Sequence, residues 1–434
     1  MDITQFNLAN PWRTGTNWEI PSIRREILDD VLKWIEEPEI LVLTGARQVG
    51  KTSIVYQIIN DLLLNSDVHP EDIFFFNLDL AGFSDFFTDQ GAFLRFLDSS
   101  RKQRAFVFVD EVQRLKDPGV FFKAIQDLRM PLKIILTGSS SLDIKVKTTE
   151  ALTGRKKVFH VTPLSFTEYI EVSGAKIPEL ERENFVPYLN ILNEHLEQYV
   201  HFGGYPAVVL TPGKEKKIQR LEEIYTSYLE KDISGFLRIE NLMAFRKLAT
   251  LIASQQGALV NIQEISGTLG IHRDTATRYL EYLEATFVTR RLNPFFTNPR
   301  SELSKMPKIY FADSGLRNLA LGGLSLDSGP AMEGLVLSSL VHRFPYARKL
   351  NYWRSSSRAE VDFVVADVQP EACVEVKTGE MKSMKLTRGY RSFLEKYKPS
   401  RALLLNRNLW DELQVGPCKV EAVPIAVFLL RNLL

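Results

Sequence analysis

Two sets of residues in this 434-residue chain have types and spacing suited to chemistry on phosphates. The first is Gly45-Ala46-Arg47-Gln48-Val49-Gly50-Lys51-Thr52, followed by Ser53. Glycines at this spacing let backbone N–H groups curl around phosphate oxygens, and a helix that follows adds its positive end. Lys51 can then reach the β- and γ-phosphates of ATP, and the Thr52 hydroxyl can ligate Mg²⁺. The second set is Glu333, Asp362, Glu375 and Lys377. The runs "AEVDFVVAD" and "EACVEVKTGE" place these last three charges among apolar residues. Such charges either pair to hold the fold or hold a metal ion.

The elements that position the first set are readable. Ile40–Leu43 reads as a buried parallel strand, and Ile54, Ile58 and Leu62 mark the helix after the glycine loop. A second apolar run, "RAFVFVDEVQRL", ends in Asp110-Glu111. There Asp110 would hold Mg²⁺ or its water, and Glu111 would polarise the attacking water. A third, "LKIILTGSSSL", brings Ser139 beside the γ-phosphate. Arg155 precedes another strand. It either reaches the γ-phosphate of a neighbouring subunit or belongs to a surface basic turn with Lys156 and Lys157.

The middle of the chain is helical. Leu189, Leu192, Leu196 and Val200 recur at helical spacing, as a core face of a lid over the nucleotide. Gly203-Gly204-Tyr205-Pro206 reads as a structural turn, and "YTSYLEKDISGF" as a link between further helices. Residues 257–296 are more specific. Ile262, Ile265 and Leu269 mark a short helix ending at Gly270, and Tyr279, Leu280 and Leu283 the inward face of a second. "FVTRRLNPFF" follows as a strand pair, which completes a helix-turn-helix with a wing. Arg273, Thr275 and Arg278 lie where a recognition helix faces the major groove of DNA, and Arg290 and Arg291 on the wing can meet phosphates. Glu264, Asp274, Glu281 and Glu284 interleave, so a packing or protein-contact module is the alternative.

Together "GARQVGKT", "VDEVQ", "LTGSSS", "LTGR" before "PLSFTEY", and "GGYP" resemble one group of prokaryotic AAA-type ATPases. In that group a P-loop domain is joined to a winged helix and then to a domain similar to restriction endonucleases. The resemblance implies that Glu333, Asp362 and Glu375-x-Lys377 follow the helix–strand–strand pattern of the PD-(D/E)XK nuclease fold. There the carboxylates hold Mg²⁺ against a scissile phosphate and the lysine orients a water. Period-two alternation puts Glu375 and Lys377 on one face of their strand. The chain departs from its relatives after the helix glutamate, with Gly334 where asparagine is common.

Length predicts several domains. The expected divisions are an N-terminal tail (1–20), a P-loop AAA-type core (21–165), a helical lid and linker helices (166–255), a winged helix-turn-helix (256–304) and a nuclease-like α/β domain (305–434). Net charge is +1, so any DNA contact must come from a local patch. Two cysteines without a pairing pattern fit a reducing cytoplasm. No apolar run approaches the roughly 20 residues that cross a bilayer, so no membrane partner is expected. An arginine finger at Arg155 would imply a homo-oligomer. Two functions stay open: an ATPase that binds DNA and presents it to a metal-dependent nuclease site, or a nucleotide-gated DNA-binding or protein-contact regulator whose terminal domain does not cut.

Overall fold

Four apolar runs and the mixed run Lys156–His160 become five parallel strands. The computed structural model describes residues 3–65, 67–99, 101–139, 152, 154–229, 239, 241–295, 306–323, 328–344, 349–431 and 433–434. They divide into two units, Met1–Thr162 with Ala285–Phe287, and Pro163–Glu284 with Val288–Leu434.

In the first unit β1 (Ile40–Thr44), β2 (Ile73–Asn77), β3 (Ala105–Asp110), β4 (Leu132–Gly138) and β5 (Lys156–His160) lie in the order β2-β3-β4-β1-β5. Every neighbouring pair is parallel. Parallel pairing requires crossovers, and burial on both faces explains why β1 to β4 are near-continuous apolar runs rather than alternating, while the edge strand β5 is mixed. Helices α1 (Ile3–Ala9) and α2 (Ile27–Leu32) precede the sheet. Crossovers run through α3 (Lys51–Asn65), α4 (Gln90–Asp98) and α5 (Pro118–Asp127). Because β4 lies between β1 and β3, side chains at its end stand between the glycine loop and Asp110.

The stretch read as an N-terminal tail is instead part of this unit. Phe6 and Trp12 are buried. Asn10 accepts from Phe75 N at 2.7 Å and donates to Phe75 O at 3.0 Å. Its amide thereby satisfies the open backbone of β2, an edge strand that water or another chain would otherwise claim.

The second unit begins with α6 (Phe166–Ser173), α7 (Leu189–Phe202), α8 (Pro206–Val209), α9 (Lys214–Ser227) and α10 (Leu242–Ser254). Next come α11 (Ile262–Leu269), α12 (Arg273–Ala285), α13 (Ser314–Ala320), α14 (Ser328–Arg343), α15 (Arg388–Tyr397) and α16 (Ile425–Leu430). Its sheet comprises β6 (Thr289–Pro294), β7 (Lys308–Phe311), β8 (Lys349–Arg354), β9 (Glu360–Ala366), β10 (Pro370–Val376), β11 (Arg401–Asn406), β12 (Asp411–Val415) and β13 (Cys418–Pro424). The order is β12-β13-β11-β10-β9-β8-β6-β7. One face packs Phe363, Val374 and Leu405 against Leu196 of α7, Val336 of α14 and Phe428 of α16. The other packs Val364, Cys373 and Leu404 against Tyr390, Phe393 and Leu394 of α15.

Two expectations change here. The helices assigned to a lid share a core with the terminal sheet, since Phe166, Ile170, Leu192 and Leu196 pack with Leu403 and Val427. The wing is not a strand pair within 287–296: β6 is one strand, and its antiparallel partner is β7. The other edge of β6 pairs with β8 through Asn293↔Asn351 and Pro294↔Tyr352, which makes it an inner strand. Residues 230–236 of the "YTSYLEKDISGF" link and 140–142 of "LTGSSSL" lie outside the described residues. Among the described residues no helix is long and apolar enough to cross a membrane.

Candidate functional site

The glycine loop sits between the end of β1 and the start of α3. Gln48 and Gly50 have positive φ, 61° and 94°, which turn the loop back on itself. Gly45 has no room for a side chain, because a Cβ would overlap the Val161 carbonyl oxygen. Ala46 and Val49 are buried, Arg47 half-buried and Gln48 exposed. Lys51 is buried, and its Nζ donates to the carbonyls of Gly45 at 3.0 Å and Ala46 at 2.8 Å. Ser53 is half-buried in the first turn of α3.

Thr52 Oγ1 donates to Asp110 Oδ2 at 2.8 Å, joining the helix start to the end of β3. Thr137 of β4 donates to the other oxygen, Oδ1. Burial raises the Asp110 pKa, and these two hydroxyls work against that rise. Glu111, just beyond β3, has the left-handed φ of 60°, rare for a residue with a side chain. Its backbone N–H donates to Thr137 Oγ1 at 3.2 Å. The buried amide of Gln113 donates both to Glu111 Oε2 and, at 2.9 Å, to Ser139 Oγ. Parallel pairing thus gathers Lys51, Thr52, Asp110, Glu111 and Ser139 at one edge of the sheet. Arg155 is at the opposite edge: its carbonyl accepts from Ile40 N at 2.9 Å, and its guanidinium meets Asp127 at 3.1 Å.

Three contributors escaped the sequence reading. Thr137 and Gln113 lie inside motifs that were recognised but carry no obvious chemistry of their own. Arg25, buried, donates to Val49 O at 2.7 Å and to Thr162 O at 2.8 Å. It braces the loop from behind, and nothing near Arg25 in sequence signals this.

In the second unit β9 and β10 pair antiparallel, and Asp362 Oδ2 accepts from Val376 N at 2.8 Å. Lys377 Nζ meets Glu375 Oε1 at 2.7 Å, while Glu375 Oε2 is buried without a hydrogen-bond partner among the described residues. Glu333, on α14, accepts from Tyr310 OH at 3.3 Å. Burial, then Asp362, pushes Glu333 up to about 7 and Glu375 up to about 7. Burial also raises Asp362. For Lys377 burial works against the charge, yet Glu375, Asp362 and Glu333 raise it above the ordinary lysine value. Lys308, buried in β7, pairs with Glu360 at 2.5 Å and draws the pKa values of Glu333 and Asp362 downward. The acids therefore share one field. Among the described residues, however, no group of three or more His, Cys, Asp or Glu is arranged to hold a metal ion. Gly334 has a local cause: a Cβ there would lie 2.8 Å from Gln256 Nε2. Gln256 bonds Phe311 N at 2.8 Å and Pro330 O at 2.6 Å, so it ties β7 to α14 through the space a side chain would fill.

Asn261 caps α11, Gly270 ends it at φ 63°, and α12 buries Ala276, Tyr279, Leu280 and Leu283. Arg273 and Arg278 are exposed and Thr275 half-buried. Arg290 is half-buried within the sheet, and desolvation lowers its pKa to about 10. Arg291 lies 3.3 Å from Glu284. The two wing arginines are therefore on an inner strand, not on a free hairpin.

Residues 37–170 match the family model of the AAA domain, which spans β1 to β5. They form an AAA-type ATPase-like domain. Residues 193–327 and 328–427 match two domains of unknown function, DUF8612 and DUF4143. An uncharacterized protein of Methanocaldococcus jannaschii is 24% identical over 358 residues, covering 80% of this chain and 77% of its own. One from Haemophilus influenzae is 23% identical over 363 residues, covering 81% and 86%. One from Mycobacterium tuberculosis is 26% identical over 357 residues, covering 79% and 71%. A solved structure of the Aeropyrum pernix ORC1 protein in complex with DNA aligns over 75% of this chain and 95% of its own, at 12% identity and a TM-score of 0.31.

Proposed function

We propose that the chain binds and hydrolyses Mg-ATP at the glycine loop and contacts DNA with its second unit. The observation that carries the first part is the Thr52–Asp110 hydrogen bond, 2.8 Å long, which sets a hydroxyl and a carboxylate side by side at the mouth of the loop. The N–H groups of Gly45–Thr52 would cradle the phosphates, and Lys51 would exchange two carbonyls for phosphate oxygens. Mg²⁺, held by Thr52 and Asp110, would neutralise charge on the phosphoryl group. Glu111 has one oxygen engaged by Gln113. Its other oxygen, Oε1, would take the proton of the attacking water. Ser139, on the same amide, would report the γ-phosphate to that carboxylate. Arg155, at the far edge of its own sheet, could act only on a neighbouring copy's nucleotide; an Arg155→Ala protein with normal turnover would remove that role.

For DNA, the exposed Arg273 and Arg278 on the first half of α12, with the half-buried Thr275 between them, would face the major groove. The ORC1 protein was solved with DNA, which agrees with this reading without carrying it. A nuclease function is favoured by one observation: Glu375 Oε2 is buried without a hydrogen-bond partner among the described residues, near Asp362, another carboxylate whose pKa burial raises. As they stand Glu333, Asp362 and Glu375 are not arranged to hold a metal ion, so a divalent cation would have to draw these acids together before it could satisfy that oxygen and before Lys377 could orient a water. The pairing of Lys377 with Glu375 at 2.7 Å equally suits a regulator that holds DNA without cutting.

The test is ATP hydrolysis together with cleavage of plasmid, linear and branched DNA, with Mg²⁺ or Mn²⁺, by wild type, Lys51→Ala and Lys377→Ala. ATP turnover lost in Lys51→Ala supports the first part. No cleavage by wild type while ATP turnover is intact leaves the regulator reading.

A further inference from the structure

Residues 382–401 hold seven lysines and arginines against one acid, Glu395, in a chain whose totals are 54 against 53. Four of these cations belong to α15 and its C-cap: Arg388, Arg391, Lys396 and Lys398. Lys382 and Lys385 precede the helix and Arg401 opens β11. All seven are exposed. None has an acidic partner within 4.0 Å among the described residues, whereas many surface arginines elsewhere do, such as Arg104 with Glu36 and Arg182 with Asp411. The helix is sharply two-sided, because Tyr390, Phe393 and Leu394 go into the core. The helix cations Arg388, Arg391 and Lys396 are therefore fixed on the outer side by packing.

The place of this surface matters as much as its charge. The inner side of α15 packs on β10, where Tyr390 OH contacts Cys373 Sγ at 3.4 Å. Cys373, Glu375 and Lys377 follow one another at period two, on one side of the strand. Glu375 and Asp362 in turn raise the pKa of Tyr390, after burial and Cys373. The basic helix thus packs on the sheet face to which Val364 of β9, Cys373 of β10 and Leu404 of β11 contribute, the face shared by Glu375.

We propose that residues 382–401 form a docking surface for the phosphate backbone of nucleic acid, on the side of the terminal sheet that bears Glu375 and Lys377. A polyanion fits an uncompensated row of cations. A ten-residue helix is about 15 Å long, which matches several successive phosphates of one strand. An anionic membrane fits less well, since insertion needs apolar side chains beside the cations. The large exposed apolar residues of this protein all lie outside 382–401 among those described. This inference rests on the proposal that the second unit contacts DNA, and it assigns the phosphate contacts to a different surface from Arg273 and Arg278.

The test measures the affinity of the full chain for a fluorescent 30-base-pair duplex between roughly 50 and 200 mM salt. The variants are R388Q/R391Q/K396Q/K398Q, the half-set R388Q/R391Q, and R273Q/R278Q. Losing four phosphate contacts should flatten the slope of log K against log salt by about 3 to 4, and the half-set by about half of that. The melting temperature should not move, because all four side chains are exposed. An unchanged slope in the fourfold variant, with wild type binding DNA, overturns this surface and leaves the helix-turn-helix proposal standing. Wild type that binds no duplex at the lowest salt overturns both. Binding to phosphatidylserine vesicles but not to DNA, lost in the fourfold variant, would replace nucleic acid by a membrane and also overturn the proposal.

Discussion

The Thr52 hydroxyl donates to Asp110 Oδ2 at 2.8 Å, although 58 residues separate them in the chain. The bond spans the gap left by β4, and Thr137 of that strand takes the other carboxylate oxygen. If this pair is the cation site, Asp110→Asn keeps a hydrogen bond but loses the charge that Mg²⁺ requires. ATP binding measured by calorimetry should then lose most of its dependence on Mg²⁺, and turnover should fall by about a hundredfold or more. Unaltered Mg²⁺ dependence in the variant would count against the pair.

Arg25 is a positioning residue behind the loop. Arg25→Ala leaves the buried carbonyl of Val49 and the half-buried carbonyl of Thr162 without their charged donor. Hydrogen bonds to charged groups contribute about 1.5–3 kcal/mol each, so the first unit should lose roughly 3 kcal/mol and bind nucleotide more weakly. Arg25→Lys should recover only part, because an ammonium cannot reproduce the forked geometry that serves two acceptors. A melting temperature within a degree of wild type would contradict the bracing role.

Gly334 and Gln256 compete for one space, with an added Cβ lying 2.8 Å from Gln256 Nε2. Gly334→Ala should destabilise the second unit by about 1–3 kcal/mol through overpacking. Gln256→Ala should also destabilise, through its lost bonds to Phe311 and Pro330. The double variant should be less destabilised than the sum, since the clash is then gone. Strict additivity in urea denaturation would show that the two residues do not compete.

Glu333 gives stability a definite pH dependence. Its pKa is raised from 4.5 to about 7 by burial and by Asp362. Between these values the native state binds more protons than the unfolded state, so this group makes stability fall as pH rises. Glu333→Gln removes that slope and still accepts from Tyr310. The variant should gain on wild type between pH 4.5 and 7, by on the order of 1 kcal/mol once screening of a half-exposed side chain is included, and hold that gain at pH 8. Equal stabilities at pH 5 and pH 8 would contradict the shared field.

Legibility in the sequence followed how local each feature is. The glycine loop, Asp110-Glu111 and Ser139 were readable because each motif is contiguous and each apolar strand announces its end. The helices α11 and α12 were readable because Ile262, Ile265 and Leu269 recur at helical spacing in the first, Tyr279, Leu280 and Leu283 in the second, and Gly270 breaks the pattern between them. What was not readable depends on distant partners. Arg25 reaches Thr162 across 137 residues. Residues 166–202 have the apolar spacing of any helix, so their membership in the core of the terminal sheet is invisible until Leu403 and Phe428 meet them. Likewise β6 shows no sign that both of its edges are occupied. For the terminal site the acids could be named from a pattern, but their orientations could not. Alternation placed Glu375 and Lys377 together, whereas the pairing of Lys308 with Glu360 and the reason for Gly334 required the fold.

The most direct test of the central claim is a comparison of ATP binding and ATP turnover in wild type, Lys51→Ala and Glu111→Gln. Wild type should bind and hydrolyse Mg-ATP. Lys51→Ala should lose binding, because the buried ammonium would be the charge that meets the β- and γ-phosphates. Glu111→Gln should retain binding while turnover falls by about a hundredfold or more, as expected for loss of a general base. Nucleotide binding that survives Lys51→Ala unchanged, or full turnover in Glu111→Gln, would contradict the account.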